Sequence, residues 1–210
     1  MKSKKIYSFI GSITSFYDLL ETLTGYKKSV NYFISQLPFP EDQSIKVLDA
    51  GCGTGVYTFS VLNRYKNAYV TAFDINKRLV QYVQKQAEGK GLSDRVYTFT
   101  GDLSGPLTEI ENETFDLIIT AGVFVYVPHE ATVRNLSRFL VSGGYFFNSP
   151  NRDSIWGKII CKIYACSPYP KEENTLVFEN NSFALIKDIK VPSTPTASFK
   201  DAHIFRKISS

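Results

Sequence analysis

Short apolar runs alternate with amphipathic stretches through the middle of this 210-residue chain. Apolar runs bounded by turn residues predict strands, and apolar positions three and four residues apart predict helices. The predicted strands are 45–50, 68–74, 95–100, 115–121 and 144–149, and the predicted helices are 55–65, 76–88 and 130–141. Because parallel strands need crossover connections, this alternation predicts a mostly parallel sheet with helices on both faces.

The two ends of the chain depart from this alternation. Near the N-terminus, three- and four-residue apolar spacing predicts a helix over 6–20, and a second helix is expected over 27–36. After Pro150 the pattern predicts a helix over 154–165. Two extended segments, about 183–191 and 198–208, then finish the chain, and we expect them to form an antiparallel pair at the edge of the sheet.

Size and composition limit the class of protein. A chain of 210 residues, 43% of them apolar, fits one well-buried domain. The formal net charge of +4 is not gathered into a Lys/Arg tract, so nothing in it requires nucleic acid. Three cysteines without paired spacing favour a reducing cytoplasm and predict no metal site.

The beginning of the chain imitates a signal peptide. Three lysines within the first five residues precede an apolar stretch, but polar residues interrupt that stretch and no small-x-small cleavage site follows. We interpret the segment as part of the mature fold. No stretch approaches the roughly 18 to 20 apolar residues that a membrane-spanning helix needs, so we expect a protein that is soluble or at most bound to a membrane surface.

The run Val47-Leu-Asp-Ala-Gly-Cys-Gly-Thr-Gly55 leads from a predicted strand into a predicted helix. Glycines at alternate positions let the backbone turn sharply and approach a ligand that a side chain would exclude. A dinucleotide-binding fingerprint has glycine or alanine three residues after its second glycine. Val56 occupies the corresponding position, which disfavours a nicotinamide dinucleotide.

With Asp49 ahead of its glycines, this run closely resembles the cofactor motif of class I S-adenosylmethionine-dependent methyltransferases. The resemblance continues over about residues 10–208. It implies a Rossmann-like three-layer α/β sandwich, with a mostly parallel seven-stranded sheet, an antiparallel C-terminal strand and an N-terminal helical lid. The single domain would consist of a helical cap over 1–38, a cofactor-binding core over 45–150, and a C-terminal helix with an antiparallel strand pair over 151–210.

The resemblance also implies which residues contact S-adenosylmethionine. Asp74, 21 residues after Gly53, occupies the position of the family's ribose-binding acid, although an aspartate there also fits a cap for the helix near Asn76. Gly101, Asp102 and Leu103 follow the third strand, at the family's adenine-binding position, where a plain turn is the alternative. The full set of predicted cofactor contacts is Tyr17, Asp49, Gly51, Cys52, Gly53, Thr54, Gly55, Asp74, Ile75, Gly101, Asp102, Leu103 and Ala121.

Catalytic residues are harder to assign. Members of the family often carry a polar or acidic residue at the exit of the fourth strand, but this chain has Ala121 and Gly122 there. Tyr126 and His129 are the nearest polar groups and the only candidates for a catalytic role. His203 falls in the predicted last strand, where a structural role is favoured.

The predicted helix over 154–165 gives the best indication of the methyl acceptor. One half of it is apolar and the other carries Lys158 and Lys162, so it fits packing on the sheet, lining an apolar acceptor pocket, or lying on a membrane surface beside Trp156. The preceding run 148–152 resembles methyltransferases that act on quinone precursors and similar lipophilic compounds. We therefore predict a small-molecule acceptor, with a lipophilic one favoured.

Three rival functions remain at this stage. A non-catalytic cofactor-binding subunit would keep the glycine loop and Asp74 while lacking an acid near Ala121. A nucleic-acid methyltransferase is expected to show an Asn-Pro-Pro-Tyr type of site or an added RNA-binding domain, and the sequence has neither. An NAD-dependent oxidoreductase is disfavoured by Val56.

Overall fold

The computed structural model describes residues 25–151, 155, 158, 161–162, 170–190 and 200–208. Within them the helices are α1 (Tyr26–Ile34), α2 (Val56–Arg64), α3 (Lys77–Gly89), α4 (His129–Ser137) and α5 (Lys171–Asn180). The strands are β1 (Lys46–Ala50), β2 (Tyr69–Asp74), β3 (Val96–Thr100), β4 (Phe115–Ala121), β5 (Leu140–Ser149), β6 (Phe183–Ile189) and β7 (Ala202–Lys207). No helix in these parts of the chain is long and apolar enough to cross a membrane.

All seven strands form one sheet, in the order β3-β2-β1-β4-β5-β7-β6. Strands β1 to β5 pair in parallel, and β7 runs antiparallel between β5 and β6. The Rossmann-like α/β fold and the antiparallel C-terminal pair are therefore confirmed. Strand order reverses direction at β1, which lies between β2 and β4. A reversal of this kind opens a crevice at the carboxyl ends of the strands, where α/β proteins bind their ligands.

Both faces of the sheet are buried. Along β4, Leu117 and Ile119 pack on the face covered by α1 and α2, while Ile118 between them packs on the opposite face under α4 and α5. Central parallel strands are apolar on both faces for this reason. The apolar run 117–119 in the middle of β4 follows directly from the place of this strand in the middle of the sheet.

The boundary between α4 and β5 was predicted wrongly. The expected helix over 130–141 ends at Ser137, and Leu140 already belongs to β5. The glycine pair 143–144 lies inside β5, although the predicted strand begins only at 144. There it makes a bulge, because the pairing with β4 shifts from Phe115–Leu140 to Leu117–Tyr145. Gly143 has φ +72°, and a Cβ on Gly144 would approach Leu140 Cγ to 3.0 Å, so this bulge needs glycine.

Helix α5 was not predicted at all. Only Asn174 and Phe178 along it are buried, so its apolar face is too narrow to produce a helical pattern. Its N-terminal signal was present: Pro170 precedes Glu172 and Glu173, and acidic residues in a first turn favour a helix.

Several predicted elements lie outside the described residues. They include the helix over 6–20 with Tyr17, and most of the helix over 154–165. Of that second helix, Ile155 is helical and highly exposed, and Cys161 is buried. The lid and the peripheral membrane contact therefore stay predictions.

A chain of buried polar side chains holds α5 against the sheet. Thr120 donates to Asn148 (3.1 Å), Asn148 donates to Asn174 (2.9 Å), and the Asn174 amide is 3.2 Å from His203 Nδ1. His203 Nε2 is 3.4 Å from Asp188, which also pairs with Lys171. Burial lowers the pKa of His203. Buried polar groups require polar neighbours, and Asn174 and Asp188 are those of His203. This position fits the structural role expected for His203.

Phe178 is the main apolar contribution of α5. Its ring stacks on Phe205 at a centroid distance of 3.9 Å and contacts Phe146 at 4.8 Å. We predict that Phe178→Ala lowers the free energy of unfolding by about 3 to 5 kcal/mol, the usual range for a buried aromatic ring. Leu176→Ala, on the exposed side of the same helix, should change it by less than about 0.5 kcal/mol. Urea denaturation measures both, and equal effects would contradict this placement of α5.

Candidate active site

The glycine loop after β1 is tied to the end of β2. Gly51 and Cys52 both donate backbone hydrogen bonds to the carbonyl of Phe73, at 2.8 and 2.9 Å. Gly55 then donates to the carbonyl of Cys52 (2.8 Å) and caps α2 in a left-handed conformation. The loop is thus a fixed part of the sheet edge, at the point where strand order reverses.

The three loop glycines are required for different reasons. A Cβ on Gly51 would lie 2.4 Å from Val123 Cγ1, and one on Gly55 would lie 2.9 Å from Val83 Cγ2. Gly53 differs, because a Cβ there would meet no heavy atom within 4 Å. All three have positive φ. The loop therefore presents bare backbone to open space at Gly53, as a cradle for a ligand needs.

Asp74 lies beside this open backbone, at the end of β2, and is only 2% exposed. Its Oδ2 accepts a hydrogen bond from Gly53 N (3.0 Å), and its Oδ1 accepts one from Asn76 N (2.8 Å). It thus faces the loop and also shapes the turn before α3. A carboxylate oxygen can accept more than one hydrogen bond, so these contacts leave capacity for hydroxyl groups of a ligand.

Asp49 is a second buried carboxylate below the loop. Burial raises the pKa of Asp49 to about 6, although a 2.6 Å hydrogen bond from Thr58 opposes the shift and nearby Asp74 adds to it. No motif in the sequence marks Thr58, which is brought to Asp49 by the first turn of α2. A cationic ligand group would favour the ionised form of such a carboxylate.

The other loop residues are enclosed. Cys52 is 7% exposed, and burial raises the pKa of its thiol well above the usual value, so the thiol stays protonated and is a poor nucleophile. Thr54 is also buried. We therefore expect Cys52 and Thr54 to contact a cofactor through their backbone atoms and not through their side chains.

The turn after β3 closes one side of the crevice. Leu103 Cδ1 lies 3.7 Å from the position of a Cβ on Gly51, and Gly101 N donates to the Asp74 carbonyl (3.1 Å). Asp102 Oδ1 accepts from Ser104 N (2.8 Å), which is the plain-turn arrangement. Ile75 is 52% exposed next to Asp74. The predicted ribose- and adenine-binding residues thus lie along one edge of the sheet.

The exit of β4 carries a lysine that sequence analysis missed. Lys200 Nζ lies 2.9 Å from where a Cβ on Gly122 would be, and it donates to the Ser149 carbonyl at 3.5 Å. Gly122, with φ +70°, donates to the same carbonyl (3.0 Å), and Ala121 pairs with Ser149. Lys200 is 9% exposed. No local signal marked it, because it is far from Gly122 in the sequence.

The two candidate catalytic residues have different surroundings. Tyr126 is 39% exposed in the loop after β4. His129 is buried, with its ring 4.0 Å from that of Phe124 and 5.9 Å from that of Phe178. Burial lowers the pKa of His129 to about 4. His129 is therefore neutral at pH 7 and is a weak base. In the described part of the chain, no group of three His, Cys, Asp or Glu residues could hold a metal ion.

Comparisons with known proteins agree with this geometry. Residues 47–144 match the family model described as a methyltransferase domain. A malonyl-[acyl-carrier protein] O-methyltransferase from Paenibacillus sp. (strain JDR-2) is 29% identical over 100 residues, covering 47% of this chain and 36% of the relative. A ribosomal protein L11 methyltransferase from Syntrophomonas wolfei is 32% identical over 111 residues, covering 53% of this chain and 34% of the relative.

Among solved structures, a geranyl diphosphate methyltransferase in complex with SAM superposes with a TM-score of 0.70 at 14% identity, covering 87% of this chain and 85% of that one. This likeness concerns the fold. The chain spans only about a third of the length of the two curated relatives named above. The sequence match over residues 47–144 and the fold agree, and both resemble those of class I S-adenosylmethionine-dependent methyltransferases.

The buried charge of Asp49 gives a stability prediction. Between pH 3.8 and about 6 the folded protein holds more protons at Asp49 than the unfolded chain does. The free energy of unfolding therefore falls as the pH rises through this window. Above the window, the destabilisation caused by the buried charge of Asp49 is fully present. Asp49→Asn removes the charge and keeps an oxygen for Thr58. We expect it to raise the free energy of unfolding by about 1 to 3 kcal/mol at pH 8 and by much less near about pH 4.

Urea denaturation at the two pH values measures this difference. Asp94→Asn, at an exposed position, is the control and should have an effect below about 0.5 kcal/mol at both. A loss of stability at pH 8 in Asp49→Asn, or an equal gain at both pH values, would contradict the burial of a charged Asp49.

Proposed function

We propose that this chain transfers a methyl group from S-adenosylmethionine to a small-molecule acceptor. The observation that carries the proposal is the open backbone of Gly53 beside the buried carboxylate of Asp74, at the reversal of strand order. The ligand that suits this place is a nucleoside that carries an amino-acid group. The bare backbone suits the amino-acid group, and the carboxylate suits the ribose hydroxyls.

Each part of the crevice has a proposed role toward the cofactor. The backbone of 51–55 would hold the amino-acid group, with Asp49 below favouring its positive charge. Asp74 would accept hydrogen bonds from the ribose hydroxyls, and exposed Ile75 and Leu103 would pack against the adenine. S-adenosylmethionine supplies a methyl group activated by a sulfonium centre. The protein's task is then to place an acceptor atom in line with that methyl group.

The acceptor would enter at the exit of β4, over Ala121 and Gly122. Because His129 is a weak base, the protein is suited to an acceptor that needs little help in losing a proton, such as a carboxylate, an acidic phenol or an amine. The lysine at Gly122 places a side chain able to carry positive charge at this edge. We therefore propose an acceptor with an anionic group near the methylated atom and a lipophilic body.

The names of the similar proteins are compatible with this acceptor class. The malonyl group and the diphosphate group named for two of them are both anionic. The ribosomal protein methyltransferase shows that related sequences also include an enzyme named for a protein acceptor. A non-catalytic cofactor-binding subunit is the second candidate, since the β4 exit has no acid at Ala121.

Cofactor binding is the first test. We expect the wild type to bind S-adenosylhomocysteine in isothermal titration calorimetry, and Asp74→Ala to weaken binding by about 1 to 3 kcal/mol, the range for losing charge-assisted hydrogen bonds. Asp116→Ala, at the opposite end of the sheet, is the control and should bind like the wild type. A wild type that ignores this ligand but binds NAD would overturn the proposal.

Methyl transfer is the second test. Purified protein is incubated with methyl-labelled S-adenosylmethionine and cell extract, and soluble and lipid fractions are searched for a labelled compound. We expect a labelled product for the wild type and about a tenfold or greater loss for Lys200→Met with unchanged cofactor affinity. Cofactor binding without any labelled product would favour the non-catalytic candidate. Full activity of Lys200→Met would contradict only the anionic acceptor.

A further inference from the structure

A cleft of about 400 Å3 lies outside the crevice just described, between α2 and α3 and bordered by α1. This volume is within the range of small-ligand sites in proteins. Among the described residues, four cationic ones line the cleft: Lys27 from α1, Lys66 after α2, Lys90 after α3, and Arg95 before β3. None of the described residues that line it is acidic. We call it the basic cleft.

The basic cleft concentrates positive charge. The chain has 24 lysines and arginines against 20 acidic residues, whereas the described lining of this cleft has four cationic residues and no acidic one. The four come from separate segments, so no Lys/Arg tract marks them in the sequence. Cations that the fold brings together in one concave lining raise the local electrostatic potential and attract anions.

Contacts within the protein fix the side chains of two of these cationic residues. Arg95 donates to the carbonyls of Lys66 (2.6 Å) and Tyr65 (3.3 Å) near the C-terminal end of α2. The Lys90 ammonium lies 5.7 Å from the centroid of the Phe59 ring. A preorganised cation loses less side-chain entropy when a ligand binds.

The rest of the lining offers both hydrogen bonds and apolar contact. Asn63 and Gln86 contribute amide groups, and Phe59 and Leu92 contribute apolar surface. A ligand that matches this lining has several negative charges at one end and an apolar portion at the other. Phosphate groups concentrate negative charge in this way, and lysines bind them as point charges.

We propose that the basic cleft binds a phosphorylated organic molecule, through Lys27, Lys66, Lys90 and Arg95. This site borders the proposed cofactor crevice but differs from it, since none of the described residues assigned to ribose, adenine or acceptor lines it. Within the described part of the chain, Thr54 of the glycine loop is the one residue that both sites share. The cleft can therefore be tested without knowing the methyl acceptor.

Inorganic pyrophosphate is the probe, titrated into the full chain by calorimetry at fixed ionic strength, with citrate as a tricarboxylate comparison. We expect saturable pyrophosphate binding that is tighter than citrate binding. The double variant Lys66→Gln/Lys90→Gln should weaken it about tenfold or more. Lys85→Gln/Lys187→Gln removes the same charge from exposed positions outside the cleft and should leave the affinity nearly unchanged.

Each other outcome overturns the proposal. No saturable binding of pyrophosphate, or equal weakening in both double variants, would mean that the cleft is not a site. Citrate binding as tight as pyrophosphate would refute the phosphate class. Competition of pyrophosphate with S-adenosylhomocysteine would place the anion in the cofactor crevice instead. Normal S-adenosylhomocysteine binding by Lys66→Gln/Lys90→Gln checks that this variant is folded.

Discussion

The hydrogen bond from Gly53 N to the carboxylate of Asp74 joins the two strand ends on which the site depends. It fixes the glycine loop after β1 against the end of β2, next to the position where strand order reverses. The backbone above Gly53 is left open, while Gly51 and Gly55 are packed closely against Val123 and Val83. The loop is thus rigid at both ends and bare in the middle, which is the arrangement a nucleoside-binding crevice requires.

This arrangement has an electrostatic cost. Asp49 and Asp74 are both buried at the same edge, and the charge of Asp74 disfavours ionisation of Asp49. Burial is the main cause of the raised pKa of Asp49, and the hydrogen bond from Thr58 only partly offsets it. Sites that bind charged ligands often carry such destabilising groups, which a bound ligand then compensates. The proposed cofactor has the positive charge that would do so here.

Sequence patterns predicted the central sheet well, because buried parallel strands and amphipathic helices produce strong periodic signals. They failed where the signal was weak or local rules were overridden. Helix α5 buries only Asn174 and Phe178, so it leaves no apolar stripe. The glycine pair at 143–144 fits a turn in isolation, but pairing with β4 makes it a bulge within β5.

The candidate site also contains some features that the sequence predicts and others that only the fold reveals. The glycine loop and Asp74 form motifs that are recognisable in the amino-acid sequence alone, because their residues have a fixed spacing along the chain. Lys200, by contrast, reaches Gly122 only because β7 pairs antiparallel with β5, and the basic cleft exists only because four separate segments converge. Contacts between residues far apart in the chain depend on topology, and the pattern of a single sequence does not reveal them.

The most direct measurement is a crystal structure of the protein with S-adenosylhomocysteine. The account predicts that the ribose hydroxyls lie within hydrogen-bonding distance of the Asp74 carboxylate, and that the amino-acid group lies over the backbone of Gly53. A complex in which the nucleoside occupies another part of the sheet edge, with Asp74 bonded only to Gly53 and Asn76, would contradict it.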